Sequence, residues 1–212
     1  MESFDNQTEY WDKVATLKNF THPLEMKKLA AYLSKDALIL DYGCGYGRLC
    51  HALTNNGYKN VIGVDSSNAM IVRGLSEHPH LDLRSIDNDL PVTERYDAII
   101  LFAVLTCIPS DEAQITLITQ LYQRLKPKGI LYISDYWLQN NDRNLKRYRE
   151  FFGKHGEYGI FELPDGAIVR HHSKGWIESL VGNFETKEFY DCELPSMNGN
   201  LSSCFQFIGR KI

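Results

Sequence analysis

Asp41, Gly43, Gly45, Gly47 and Asp65 have the residue types and spacing to hold a nucleoside. Gly43, Gly45 and Gly47 directly follow an apolar run, Leu38 to Leu40, that leads into Asp41. Glycine tolerates positive φ and lets a ligand lie against bare backbone. Asp65 closes the next apolar run, 20 positions after Gly45, where a carboxylate can accept hydrogen bonds from ribose hydroxyls. Ser66 shares that strand end. Together these groups predict a cofactor of adenosine type. Two plainer readings stay open: the glycines could only form a tight turn, and Asp65 could cap the following helix through Ser66-Ser67. A dinucleotide site needs G-x-G-x-x-G, and Arg48 stands where its last glycine belongs, so NAD is disfavoured.

A strand, a turn and a helix must position these groups, and the pattern around them repeats. Apolar runs at Ala37–Tyr42, Asn60–Asp65, Leu81–Ile86, Asp97–Ala103 and Ile130–Asp135 read as strands. Helical patterns at Arg48–Asn56, Asn68–Glu77 and Asp111–Leu125 separate them. Such alternation predicts an α/β fold, a doubly wound, mostly parallel sheet with helices on both faces. Glu9 to Leu33 reads as two helices broken at Thr21-His22-Pro23. After Asp135 come a polar helix near Asp142–Phe152, a hairpin around Leu163–Gly166, and a helix at Lys174–Gly182 capped by Ser173. Strands near Thr186–Cys192 and Ser203–Gly209 close the sheet as an antiparallel pair. One domain is expected over residues 1–212: an N-terminal helical cap (1–35), a core (36–135), a lid insertion (136–172), and a closing helix and strands (173–212).

The run Asp41-Tyr42-Gly43-Cys44-Gly45-Tyr46-Gly47 resembles the first motif of class I S-adenosylmethionine (SAM) methyltransferases, an acid followed by G-x-G-x-G. The resemblance extends from about Ala37 to Asp135. Asp65 matches the family's ribose acid, and Ile86 with Asp87 matches the turn that meets adenine. Arg124-Leu125-Lys126-Pro127-Lys128-Gly129 resembles its R-x-L-K-P-G-G element, with Lys128 standing at a glycine position. The likeness implies a seven-stranded sheet of order 3-2-1-4-5-7-6 with the seventh strand antiparallel. It also implies SAM as cofactor and S-adenosylhomocysteine (SAH) as product. Asp41 would orient the loop and the methionine end, and Phe102 and Ala103 would line the cofactor. Tyr10 and Trp11 would cover it, although plain packing suits both rings equally well.

Methyl transfer from a sulfonium is an in-line displacement, so the protein mainly supplies alignment and dryness. A hydroxyl acceptor also needs a base within hydrogen-bond reach. The candidates are Asp135 at the end of the fifth strand, the neighbouring Tyr136, and His22 on the N-terminal break. The insertion offers Arg143, Arg147, Tyr148, Tyr158 and His171 to a polar or aromatic guest. Arg143 and Arg147 share a helix face that could equally be a solvated one. His171-His172 has no third ligand at metal spacing, so no metal is expected.

Composition narrows the acceptor. A net charge of −4 gives no grip on a polyanion, so nucleic acid is a poor substrate. The longest apolar run, Ala98 to Leu105, is far short of the roughly 20 residues of a membrane span. The five cysteines form no CxxC pair and no signal peptide precedes the core, which fits the cytoplasm. The expected activity is methylation of O, N or S on a small organic metabolite by a monomer or homodimer. Methylation of a thiol, halide or chalcogen, or SAM binding without catalysis, are the alternatives.

Overall fold

The computed structural model describes residues 7–86, 95–197 and 199–212. The chain runs α1 (Thr8–Val14), α2 (Met26–Ala30), β1 (Leu38–Tyr42), α3 (Arg48–Asn55), β2 (Asn60–Asp65), α4 (Asn68–Glu77), β3 (Asp82–Ser85) and β4 (Tyr96–Phe102). A 3-10 turn at Leu105–Cys107 follows, then α5 (Asp111–Arg124), β5 (Leu125–Tyr136) and α6 (Asp142–His155). The short strands β6 (Ile160–Glu162) and β7 (Ile168–Arg170), α7 (Lys174–Leu180), β8 (Phe184–Pro195) and β9 (Leu201–Lys211) complete it.

Seven strands form one sheet in the order β3-β2-β1-β4-β5-β9-β8, while β6 and β7 pair apart as an antiparallel hairpin. Counting sheet strands alone, this is the expected 3-2-1-4-5-7-6. The strands β3 to β5 pair in parallel and β9 runs antiparallel to both neighbours. The apolar runs are continuous because both faces are covered. Leu40, Val64, Ile99, Leu101, Leu131 and Ile133 pack towards Leu117 and Leu121 of α5 and Ile177 of α7. The alternate positions Ile39, Ala98, Ile100, Ile130 and Tyr132 pack with Leu49 and Leu53 of α3 and Leu29 of α2. Strand order reverses between β1 and β4, and the crevice outside their carboxyl ends is where such sheets bind ligands.

Two stretches differ from expectation, each for a local reason. The N-terminal region is helical only in α1 and α2. Between them the carbonyls of Ala15 and Lys18 accept from Arg73, at 2.8 Å each, and that of His22 accepts from Arg48. Two half-buried arginines thus satisfy the backbone where a helix would have done so, and Phe20, Thr21 and His22 turn inward to line the central cavity. At the other stretch, β5 starts at Leu125, earlier than the Lys-Pro-Lys-Gly punctuation suggested, and runs through it. Lys128 takes a φ of +65°, the left-handed region in which glycine is favoured.

Candidate active site

A cavity of about 320 Å³ opens at the carboxyl ends of β1, β2 and β4. Gly43 and Cys44 of the glycine loop form one wall, while Gly45 lies under Phe20 and Gly47 faces Leu81 and Leu83. Gly43, Gly45 and Gly47 have φ of 72°, 55° and 77°, so each needs the left-handed region. A Cβ on Gly43 would come within 2.5 Å of Val104, and one on Gly45 within 2.1 Å of the Phe20 ring. Asp65 organises the loop: Oδ2 accepts from Gly45 N and Oδ1 from Ser67 N, both at 2.8 Å. Burial pushes its carboxyl up from the usual range. Ser66 and Ile86 line the same end, while Asp87 lies outside the described residues.

Asp41 and Arg48 lie deeper. Burial raises the Asp41 carboxyl to about 7, opposed by the Cys50 thiol and by Arg48. Arg48 donates to the His22 carbonyl, and its Nε is buried without a partner at the cavity wall. An orphaned donor in a glycine-lined cradle fits a ligand that brings its own acceptors. Phe102 and Ala103 line the cavity at the end of β4. Ala103 holds a φ of +54°, which costs an alanine energy and is typical of strain kept at a site.

Thr21, His22, Tyr136, Cys107, Ile108 and Met197 also line the cavity. His22 Nδ1 lies 2.9 Å from Ser134 Oγ, and its ring meets Tyr136 edge-on at 4.7 Å. Burial, helped by Arg48, lowers its pKa to about 4, so the ring is neutral at pH 7. Burial likewise pushes the Cys107 thiol and the Tyr136 hydroxyl well up, which keeps both protonated.

Several expected residues sit elsewhere. Asp135 is fully buried and turned away from the cavity: Oδ1 accepts from Tyr136 N at 2.8 Å and Oδ2 from Thr106 N at 3.1 Å. Burial raises its carboxyl to about 7. His172 approaches it to 4.0 Å, but burial drives that imidazole to about 3, so no ion pair forms at neutral pH. Of Tyr10 and Trp11 only Trp11 lines the cavity; the Tyr10 hydroxyl donates to Asp165 at 3.0 Å. From the insertion, Tyr136 alone of the expected substrate-side residues reaches it. Tyr148 bonds His171 Nδ1 at 2.6 Å and meets Tyr158 edge-on at 5.1 Å. The Arg147 guanidinium lies 5.0 Å from the Phe161 ring, and Arg143 is exposed. His171 lies against Tyr136 with ring centroids 5.5 Å apart, so this group buttresses the wall from behind. Arg147→Ala is accordingly expected to leave SAH affinity within about threefold and to cost about 1 kcal/mol or less. Tyr136→Ala, which opens the wall itself, should impair turnover; calorimetry, urea unfolding and an activity assay on the two variants check this.

Sequence reasoning missed Gln7, Phe20 and Arg48 as cavity residues. Gln7 ties the start of α1 across the cavity, donating to the carbonyls of Cys107 at 2.9 Å and Ile168 at 2.8 Å. Nothing in its local sequence signals that role.

Comparison with known proteins decides the family. A model of the methyltransferase domain matches residues 21–162, most of the chain. The chain belongs to the methyltransferase domain family. Among solved structures, a SAM-dependent methyltransferase from Methanosarcina mazei aligns with a TM-score of 0.81 at 24% identity, covering 87% of this chain and 97% of that one. Another, from Anabaena variabilis, aligns at 0.69 and 16%, covering 97% and 93%. These likenesses show the class I SAM-dependent methyltransferase fold. The ubiquinone biosynthesis O-methyltransferase of Coxiella burnetii is 27% identical over 153 residues, 68% of this chain. That match spans 62% of the relative's length. SAM is the cofactor of this methyltransferase, and Asp41, Gly43, Arg48 and Asp65 line the cavity.

Proposed function

We propose that the protein transfers a methyl group from SAM to an oxygen, nitrogen or sulfur of a small organic metabolite, releasing SAH. One observation carries the reading: the same cavity is lined by Gly43 and Asp65, taken as the cofactor end, and by Thr21, His22 and Tyr136, taken as the acceptor end. Asp65 accepts the ribose hydroxyls while its bonds to Gly45 and Ser67 hold the loop. Ile86, which lines the cavity beside Asp65 and Ser66, lies against adenine. Arg48 pairs with the carboxylate of the amino-acid portion, with Asp41 beside it to take the ammonium. Gly43 and Gly45 keep the loop low enough for that portion to pass, Gly47 turns it into α3, and Phe102, Ala103 and Trp11 wall it off from water.

The bound cofactor supplies an electrophilic methyl group that needs no further activation. The protein's own work is to exclude water and hold the acceptor in line. Net charge of −4 opposes nucleic acid as acceptor, and the O-methyltransferase relative supports an organic one. Among the described residues no helix is long and apolar enough to cross a membrane. A cytoplasmic monomer or homodimer suits this reading. The test is labelled-methyl SAM incubated with fractionated metabolites. Label in a small-molecule fraction supports the reading, whereas label only in protein or nucleic acid opposes it.

A further inference from the structure

At the acceptor end the fold has buried an imidazole without giving one of its nitrogens a partner. His22 is 2% exposed, Nδ1 is held by Ser134 Oγ, and Nε2 has no hydrogen-bond partner although the ring lines the cavity. Buried polar atoms are almost always satisfied, so an orphan at a cavity wall marks where a ligand atom belongs. The titratable and charged groups around it are few. Arg48 approaches from α3, Tyr136 from β5, and Cys107 from the 3-10 turn. Asp41 and Asp65 lie at the cofactor end. Tyr136 and Cys107 keep their protons, and Asp65 is engaged with two backbone amides. His22 is therefore the one neutral nitrogen base at the acceptor end among the described residues.

We propose that His22 Nε2 takes the proton of a hydroxyl acceptor, with Ser134 as the positioning residue that holds the ring. The inference rests on the methyl-transfer reading above. Thiols and neutral amines attack without a dedicated base, whereas a hydroxyl near neutral pH needs one. The acceptor O–H bond breaks with its electron pair left on oxygen, and the proton moves to Nε2. The oxygen forms the new O–CH3 bond as the S–CH3 pair stays on sulfur, which departs as neutral SAH. Nδ1–H then donates to Ser134 Oγ. The charge of the cavity is conserved, because the positive charge lost from sulfur reappears on the imidazole. Burial and Arg48, which keep the free ring neutral down to about pH 4, are offset at the moment of transfer.

The experiment uses catechol, benzenethiol and benzylamine as matched acceptors with labelled-methyl SAM, alongside the 15N spectrum of the histidine rings. In the wild type, the neutral His22 ring should carry its proton on Nδ1, and kcat/KM on catechol should show no acid limb near pH 6.5. His22→Asn should lower the catechol-to-benzenethiol turnover ratio at least 100-fold, within the range of general base catalysis, while SAH affinity holds within threefold. Ser134→Ala should lower kcat on catechol about tenfold at constant KM, and Ser134→Thr should restore it. If His22→Asn fails to fold, the ring spectrum and the Ser134 pair decide alone. A proton on Nε2 in the neutral ring, an unchanged acceptor ratio in His22→Asn, or methylation of benzenethiol or benzylamine without catechol would each overturn the inference. So would no turnover of any probe by a protein that binds SAH. Loss of SAH binding in the wild type would instead sink the methyl-transfer reading beneath it.

Discussion

Asp65→Ala is expected to weaken SAH binding by about 3 kcal/mol, roughly 150-fold. The variant loses the ribose acceptors and also frees the amides of Gly45 and Ser67, which Asp65 holds at 2.8 Å each. The first effect removes charged hydrogen bonds, each typically about 1.5–3 kcal/mol, and the second lets the glycine loop drift from its bound shape. Asp65→Asn keeps one acceptor oxygen and should fall between. Calorimetric titration of both variants measures the difference. Equal affinity in wild type and Asp65→Ala would contradict both roles of the carboxylate, as ribose acceptor and as loop anchor.

Asp135→Ala should be the most destabilising substitution near the cavity, at about 3 kcal/mol in urea unfolding. Two buried amides, of Thr106 and Tyr136, would lose their acceptor at a cost of about 1–3 kcal/mol each. The effect should depend on pH with a definite sign. The folded carboxyl sits near 7, raised first of all by burial, against a reference of 3.8. The stability it contributes is then fully present below about pH 3.8 and is lost as pH rises through 7. The gap between wild type and Asp135→Ala should accordingly be wider at pH 5 than at pH 8. A gap that widens towards pH 8, or the absence of any destabilisation, would contradict the placement of Asp135 as the clamp on the 3-10 turn.

The legible parts of this protein were those whose chemistry is local. Asp41, the three glycines and Asp65 are fixed by strand ends and a turn that neighbouring residues encode. The helix Asn68–Glu77 was readable to the residue for the same reason, with Ser67 as its cap. Asp135 shows where such reading stops. A strand end places a residue at the site, but only packing decides that its side chain turns towards the Thr106 amide and away from the cavity. Arg143 is exposed while Arg147, four residues on, lies half-buried against Phe161 and Asn144, so their spacing did not make one binding face. His22 was recognisable only as a histidine on a break. Its burial, its bond to Ser134 and its free nitrogen depend on β5, more than 100 residues further along the chain.

Calorimetric titration of the purified protein with SAH, set against NADH, tests the central claim most directly. The cavity, with its left-handed glycines, the Asp65 anchor and the unpartnered Arg48 Nε, predicts one SAH per chain and no heat from NADH. Saturable NADH binding with none for SAH would contradict it.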